Sequence, residues 1–250
     1  MAERDAGQTT QASAPVRAMN AVNQWILFDA IGGPRPLRAA WVINLQKAGS
    51  FLFFGALIAW YADKTWAATS VAAWIYLALH GSYGLVWLLK DQLFPDRSWQ
   101  TKQTVPSSVF TLAGLAAYWA IGWVLIAGHA SQNYPLPQAL WFALCISLAI
   151  GGCVVMIAAD VQKHVQLRLS PGLITDGMFR HVRHPNYTGE IMVYGAFGLL
   201  AWHWLALVVL GTIWGLMFVP NMAMKEASMS RYPAWAAYKK RSAWIIPKIL

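Results

Sequence analysis

Hydrophobic residues in this chain run in long blocks, and the basic residues sit at the block ends. The first block runs from about Trp41 to Tyr61, the second from about Val71 to Leu89, the third from about Val109 to Ile126, the fourth from about Leu140 to Ala159. Each is close to the roughly 20 residues that carry a helix across a bilayer. From Ile191 to Met224 no residue bears a full charge. That run is too long for one ordinary span and suits two helices joined near His203. The pattern predicts an all-α fold, a polytopic integral membrane helical bundle of about six transmembrane helices with the last two as a hairpin. Residues 225–250 then turn polar and basic, with Pro233 and Pro247 as breaks, and Tyr232, Trp235, Tyr238 and Trp244 predict an interfacial C-terminal segment. Residues 1–24 are expected to be a disordered polar tail with no signal-peptide pattern, and residues 25–250 a single transmembrane domain.

Composition narrows the class. A chain that is 58% hydrophobic and only 12% charged, with 15 tryptophans, is not a soluble globule. Cys145 and Cys153 lie in one apolar run and read as small core hydrophobes, with no metal-ligand spacing and no disulfide framework. The net charge of +9 raises nucleic acid as a partner, but the placement of the basic residues points to a membrane surface instead. With six spans and the N-terminus inside, 17 of the 19 lysines and arginines fall in residues 1–40, 90–108, 160–188 and the tail. The outer loops then hold only Lys64, and Lys47 lies within the first span. This bias predicts that both termini and the 160–188 loop are cytoplasmic.

The densest polar stretch is Asp176-Gly-Met-Phe-Arg180-His181-Val-Arg183-His184-Pro185-Asn186-Tyr187-Thr188-Gly189-Glu190. Polar groups packed against membrane segments are expensive unless they bind something polar. Arg180 and Arg183 suit phosphate or carboxylate as planar forks. Pro185 should keep a helix from running through the motif, and Gly177 and Gly189 should let the backbone turn on either side. A basic loop facing anionic headgroups is the simpler alternative. Just after the fourth block, Asp160, Lys163 and His164 stand at i, i+3 and i+4 with Arg168 beyond. They form either a binding face or a solvated helix end. Lys47, next to Gln46, is either a functional intramembrane lysine or one snorkelling to the surface. His80 reads as a hydrogen-bonded core histidine, and His129 and His203 fall at the outer interface. No Gly-x-Gly-x-x-Gly follows a strand, so a dinucleotide would have to bind among membrane helices.

Arg183-His-Pro-Asn-Tyr-x-Gly-Glu190 resembles the C-terminal domain of steroid 5α-reductase-like membrane proteins. It is also similar to the wider group of sterol C14-reductases and isoprenylcysteine and phospholipid methyltransferases. The Arg-His-Pro-x-Tyr part is common to the whole group, and Asn186 and Glu190 look more like the reductase branch. The resemblance covers residues 150–247. It implies that Asp160, Lys163, Arg168, Arg180, Arg183, His184, Asn186, Tyr187 and Glu190 hold a dinucleotide, with Arg231 and Tyr232 in the closing segment. The aromatic tail is otherwise only an interfacial anchor. The stretch Trp41–Gln46 is similar to a 5α-reductase segment whose Gln-Glu pair faces the steroid carbonyl. Here Gln46 matches, and Lys47 replaces the acid. The family's ketone-polarising tyrosine aligns with Gly81, and Tyr83 lies two residues on. Both departures weigh against a 3-keto steroid and leave reductase chemistry in place.

The function implied is NADPH-dependent reduction of a conjugated C=C bond in a lipophilic, steroid- or isoprenoid-like substrate, with Gln46, Lys47 and Tyr83 as catalytic candidates. A membrane methyltransferase using S-adenosylmethionine is the alternative. Its relatives often carry two adjacent acids where this chain has Glu226-Ala227. A non-catalytic membrane scaffold is the third reading. The expected partners are a lipophilic small molecule and membrane lipid, with no nucleic acid, metal or protein partner.

Overall fold

The structure, a computed structural model, describes residues 11–247. It opens on α1 (Ala14–Gln24), which has a proline in its first turn and runs on into a π-helical turn, Trp25–Asp29. Residues 14–24 are therefore helical rather than a disordered tail, and residues 1–10 of that expected tail lie outside the described residues. Polar composition hid this helix because one face is covered by protein. Asn23 is buried and its Nδ2 donates to the Leu216 carbonyl at 2.7 Å. The segment is pinned at its end by Thr104, whose N–H reaches the Phe28 carbonyl at 3.1 Å and whose hydroxyl reaches the Ala30 carbonyl at 3.0 Å. Ile31, Gly32 and Gly33 follow, all with positive φ. Such a φ is a steric outlier for a β-branched residue.

The long helices are α2 (Ala39–Tyr61), α3 (Val71–Leu93), α4 (Val105–Ile126) and α5 (Gln138–Leu169). After them come α6 (Pro185–Ala201), α7 (Trp204–Ile213), a π-helical turn over Trp214–Phe218, α8 (Val219–Met229) and the short α9 (Trp235–Arg241). Among the described residues five helices are long and apolar enough to cross a membrane: α2, α3, α4, α5 and the run Trp204–Met229. With 17 residues, α6 is about 26 Å long at about 1.5 Å per residue. Trp202, left-handed at φ 44°, and the N-capping His203 turn it back into α7 as the expected hairpin. α5 continues about ten residues past the apolar block, so Asp160, Lys163, His164 and Arg168 ride on helix.

Loop contacts sort the chain into two ends. At one, the short strands β1 (Leu37–Arg38) and β2 (Lys102–Gln103) pair antiparallel, Lys163 bonds Asp96, and Val182 bridges to Ala243. At the other, Thr65 bonds the Ile126 carbonyl, Gln132 bonds Ser70, and Tyr134 bonds the Leu200 carbonyl. The six helical passes α2 to α6 and Trp204–Met229 therefore alternate in direction. Apolar side chains such as Leu52, Val154 and Leu207 face outward from them. Two glycine contacts bring helices together near the site. A Cβ on Gly189 would lie 2.5 Å from the Gly152 carbonyl oxygen, and one on Gly84 would collide with the Lys47 carbonyl. Gly189 is thus a helix-crossing residue within α6, not the turn the sequence predicts.

Candidate functional site

Pro185 stands at the first position of α6, where its missing N–H is harmless and its fixed φ fits the helix. The helix does not cross the polar motif but starts inside it. Asn186, Tyr187, Glu190 and Tyr194 then fall at helical spacing and line one wall of a cavity of about 790 Å³. α8 supplies the facing wall through Asn221, Met224 and Lys225, and the π-helical turn before it adds Met217 and Phe218. The apolar part is completed by Leu27, Phe28, Ile43, Phe110, Leu115 and Ile213. Ligand sites commonly take this form, an apolar hollow with a few convergent polar groups.

Lys47 enters the cavity from α2 and is only 4% exposed. Its ammonium lies 4.7 Å from the ring centres of Tyr83 and Trp87 and 4.8 Å from that of Tyr194. It donates a hydrogen bond to the Tyr194 hydroxyl. Snorkelling is ruled out by this placement. Lys225 donates to the Tyr187 hydroxyl at 3.1 Å.

At the loop end the cavity meets a second one of about 440 Å³, and Lys90, Asp96 and Asp160 line both. Lys90 pairs with Asp160 at 2.8 Å, and Lys163 bridges Asp160 at 3.5 Å and Asp96 at 3.2 Å. Burial would raise the Asp96 carboxyl, but Lys163 and the Ser98 donors outweigh it and hold the group well below the usual carboxylate range. His164, Arg168 and Arg97 line the rest of the second cavity. Neither arginine has a carboxylate within 4.0 Å among the described residues.

The motif's arginine is occupied elsewhere. Arg183 is 8% exposed, and its Nε donates to Glu226 at 2.5 Å while Nη1 donates to the Ser242 carbonyl at 2.5 Å. The backbones of residues 181–184 hydrogen-bond with Ala243 and Trp244, and Thr188 donates to the Ile245 carbonyl at 2.7 Å. His184 is buried behind this clamp, and burial lowers its pKa. Trp235 and Tyr238 turn inward from the basic face of α9, and Tyr238 donates to the Phe179 carbonyl at 2.6 Å, so the tail docks on the motif. Burial pushes the Tyr238 phenol up to about 12.

The structure therefore gathers Lys47, Asp160, Lys163, Arg168, Asn186, Tyr187 and Glu190 around the two cavities. It leaves Arg180, Arg183, His184, Arg231 and Tyr232 outside both, against the expectation that they hold a cofactor. Arg180 is exposed, and Arg231 bonds Ser228 and Tyr232 on the surface. Gln46 is buried away from the cavity, and its amide atoms have no partner among the described residues. Tyr83 turns its ring to Lys47 and its hydroxyl to the Met156 sulfur at 3.5 Å, so it is not a free donor. His80 is the core histidine expected, bonded to Tyr76 at 3.1 Å and stacked on Phe197. Sequence reasoning missed Lys90, Asp96, Arg97, Tyr118, Tyr194 and Asn221. The spacing 187, 190, 194 was the available signal once a helix start at Pro185 is allowed.

A family model described as a protein of unknown function (DUF1295) matches residues 90–242. No curated protein matches the chain.

Proposed function

Since this chain belongs to DUF1295, a family of membrane proteins whose function is unknown, we propose from its own site that it is an NADPH-dependent membrane reductase acting on a conjugated C=C bond of a lipophilic substrate. The resemblance of residues 183–190 to the steroid 5α-reductase-like group belongs to this reading. The observation that carries it is the joined pair of cavities, one apolar with a caged lysine, the other basic. Lys90 and Lys163 are already matched by Asp160 and Asp96, whereas Arg97 and Arg168 add two guanidinium groups without carboxylate partners among the described residues. That surplus suits the phosphates of a dinucleotide, where the single carboxylate of S-adenosylmethionine asks for one cation. Asn186, Tyr187 and Glu190 line the passage toward Lys47 and would orient the ring end. A bound NADPH supplies a hydride; Lys47 and its neighbours polarise the group that receives the electrons. The end carrying the basic loops faces the cytoplasm in this reading, in line with the positive-inside bias.

The test is thermal melting of the detergent-purified protein with NADPH, NADH or S-adenosylmethionine. A ligand at 100 times its Kd stabilises by about 2.7 kcal/mol. NADPH should raise Tm most, with strong salt dependence, and the Arg97→Ala, Arg168→Ala double variant should narrow its lead over NADH. A shift with S-adenosylmethionine and none with NADPH overturns the reading in favour of a methyltransferase.

A further inference from the structure

We infer that α1 and the π-helical turn after it sit in the lipid of the leaflet on the basic-loop side, as a membrane-surface strap that closes one wall of the larger cavity. The partner is the bilayer itself. This role is independent of the reductase reading.

The side chains around this segment are inverted relative to a helix that faces water. Val16, Asn20, Asn23 and Leu27, at i, i+4, i+7 and i+11, share one face and turn toward the protein. Asn23 and Leu27 are buried, and the other two are half-buried. A second face carries Ala18, Met19, Val22 and Trp25, all exposed, Val22 at 54% and Trp25 at 51%. A third side presents Arg17, Ala21 and Gln24. A surface helix in water turns its apolar stripe to the core and its polar residues outward. Here the asparagines face protein and the apolar stripe faces out, an order that suits an apolar medium. Arg17 is the one charge between residues 14 and 28. Protein on one side, an apolar surface on the second and a polar edge on the third is the form of a helix lying at a membrane surface.

What covers the stripe follows from where the segment is tied. α1 packs on α8, and the Asn23 amide reaches the Leu216 carbonyl in the last membrane pass. Leu216 and Val219 of that pass are themselves exposed, so the stripe continues a surface that lipid already covers. With 11 residues, α1 is about 16 Å long. That is short of the roughly 30 Å hydrocarbon core, so the helix lies within one leaflet. The far end of the strap says which. The Ala30 N–H donates to the Ser107 hydroxyl at 2.9 Å, and Thr104 holds Phe28 and Ala30 at the start of α4, the end where β1 and β2 pair. Between these ties Asn23, Gln24, Ile26, Leu27 and Phe28 line the larger cavity. Lipid against Met19, Val22 and Trp25 therefore backs that wall from outside.

The test uses full-length protein in phosphatidylcholine–phosphatidylglycerol nanodiscs, with Cys145 and Cys153 replaced by alanine and a single introduced cysteine carrying an NBD fluorophore. Labels go at Met19 and Val22 on the outward stripe and at Arg17 on the polar edge. Ser98 serves as the loop reference and Val154 as the lipid-facing reference. Two quenchers are compared, aqueous iodide and a phospholipid with a nitroxide on its acyl chain. Met19→Cys and Val22→Cys should be quenched by the nitroxide lipid as Val154→Cys is, and iodide should quench them no more than it does Val154→Cys. Arg17→Cys should follow Ser98→Cys with iodide. All three strap positions are exposed, so the labels leave the packed face untouched; melting at the temperature of the cysteine-free protein checks the fold of each variant. Iodide access at all three positions alike places the segment in water and overturns the proposal. Equal nitroxide quenching at all three overturns it in favour of a fully embedded segment. Quenching of Met19→Cys and Val22→Cys by neither agent overturns it in favour of a protein or a second copy over the stripe.

Discussion

Arg183 shows how far a side chain's role depends on what the fold sets beside it. Chemistry alone suggests a phosphate fork, but its partner is Glu226, 43 residues away, with the Ser242 carbonyl behind. Removing one member of such a pair strands the other charge, at a cost of about 3–5 kcal/mol. Arg183→Ala should therefore lower the ligand-free Tm, while Asn186→Ala should leave it near the parent value and lose the ligand shift. Equal ligand-free melting with lost binding in both would return Arg183 to the ligand. Asp96 makes the second case. Its folded pKa lies below the unfolded value of about 3.9, so its ion pair with Lys163 contributes fully above that value. The contribution fades as pH falls from about 4 toward the folded pKa. Asp96→Asn should flatten the acid limb of a Tm-versus-pH curve below pH 4 and leave its slope unchanged between pH 6 and 8.

At the scale of elements, hydropathy marked the spans well, because a bilayer demands long apolar runs. It carried no information on which helices touch. α5 and α6 meet where Gly152 and Gly189 face each other, and that contact holds Asn186 and Glu190 at the cavity. Gly189→Ala would push a methyl against the Gly152 carbonyl and the Met156 nitrogen, both at 2.5 Å. Overpacking of this kind costs about 1–3 kcal/mol. Its Tm should fall well below that of Gly195→Ala, since Gly195 has open space around it; equal melting would mean the helices separate freely. The stretch Arg183–Glu190 was legible as a motif, yet its division of labour was not. Half of it binds the tail, half lines the cavity, and only the helix start at Pro185 divides them. α1 was illegible for another reason: its buried Asn23 is satisfied by the turn before α8, and the segment that follows is held by Thr104 at the start of α4, contacts that no local pattern encodes.

For the whole molecule, the alternation of six helical passes gathers residues 23–38, 94–104, 160–184 and 225–245 at one end, and with them most of the basic residues. Single cysteines placed at Ser98 and Ser131, in a background lacking Cys145 and Cys153, should label from opposite sides of a sealed membrane, Ser98 from the cytoplasm. Labelling of both from one side would break the six-pass arrangement. The contact between the motif and residues 242–245 also bears on how the protein is made. Among the described residues every helix of membrane-spanning length ends by Met229, so these helices can insert before residues 242–245 are synthesised. Arg183 and Glu226 are then already present, but the carbonyls of Ser242 and Ile245 are not. The motif is thus closed by residues that follow all of these helices, and a product stopped before Ser242 would carry the helices with the motif still open. Insertion of the helices and closing of the motif are therefore separate steps in time.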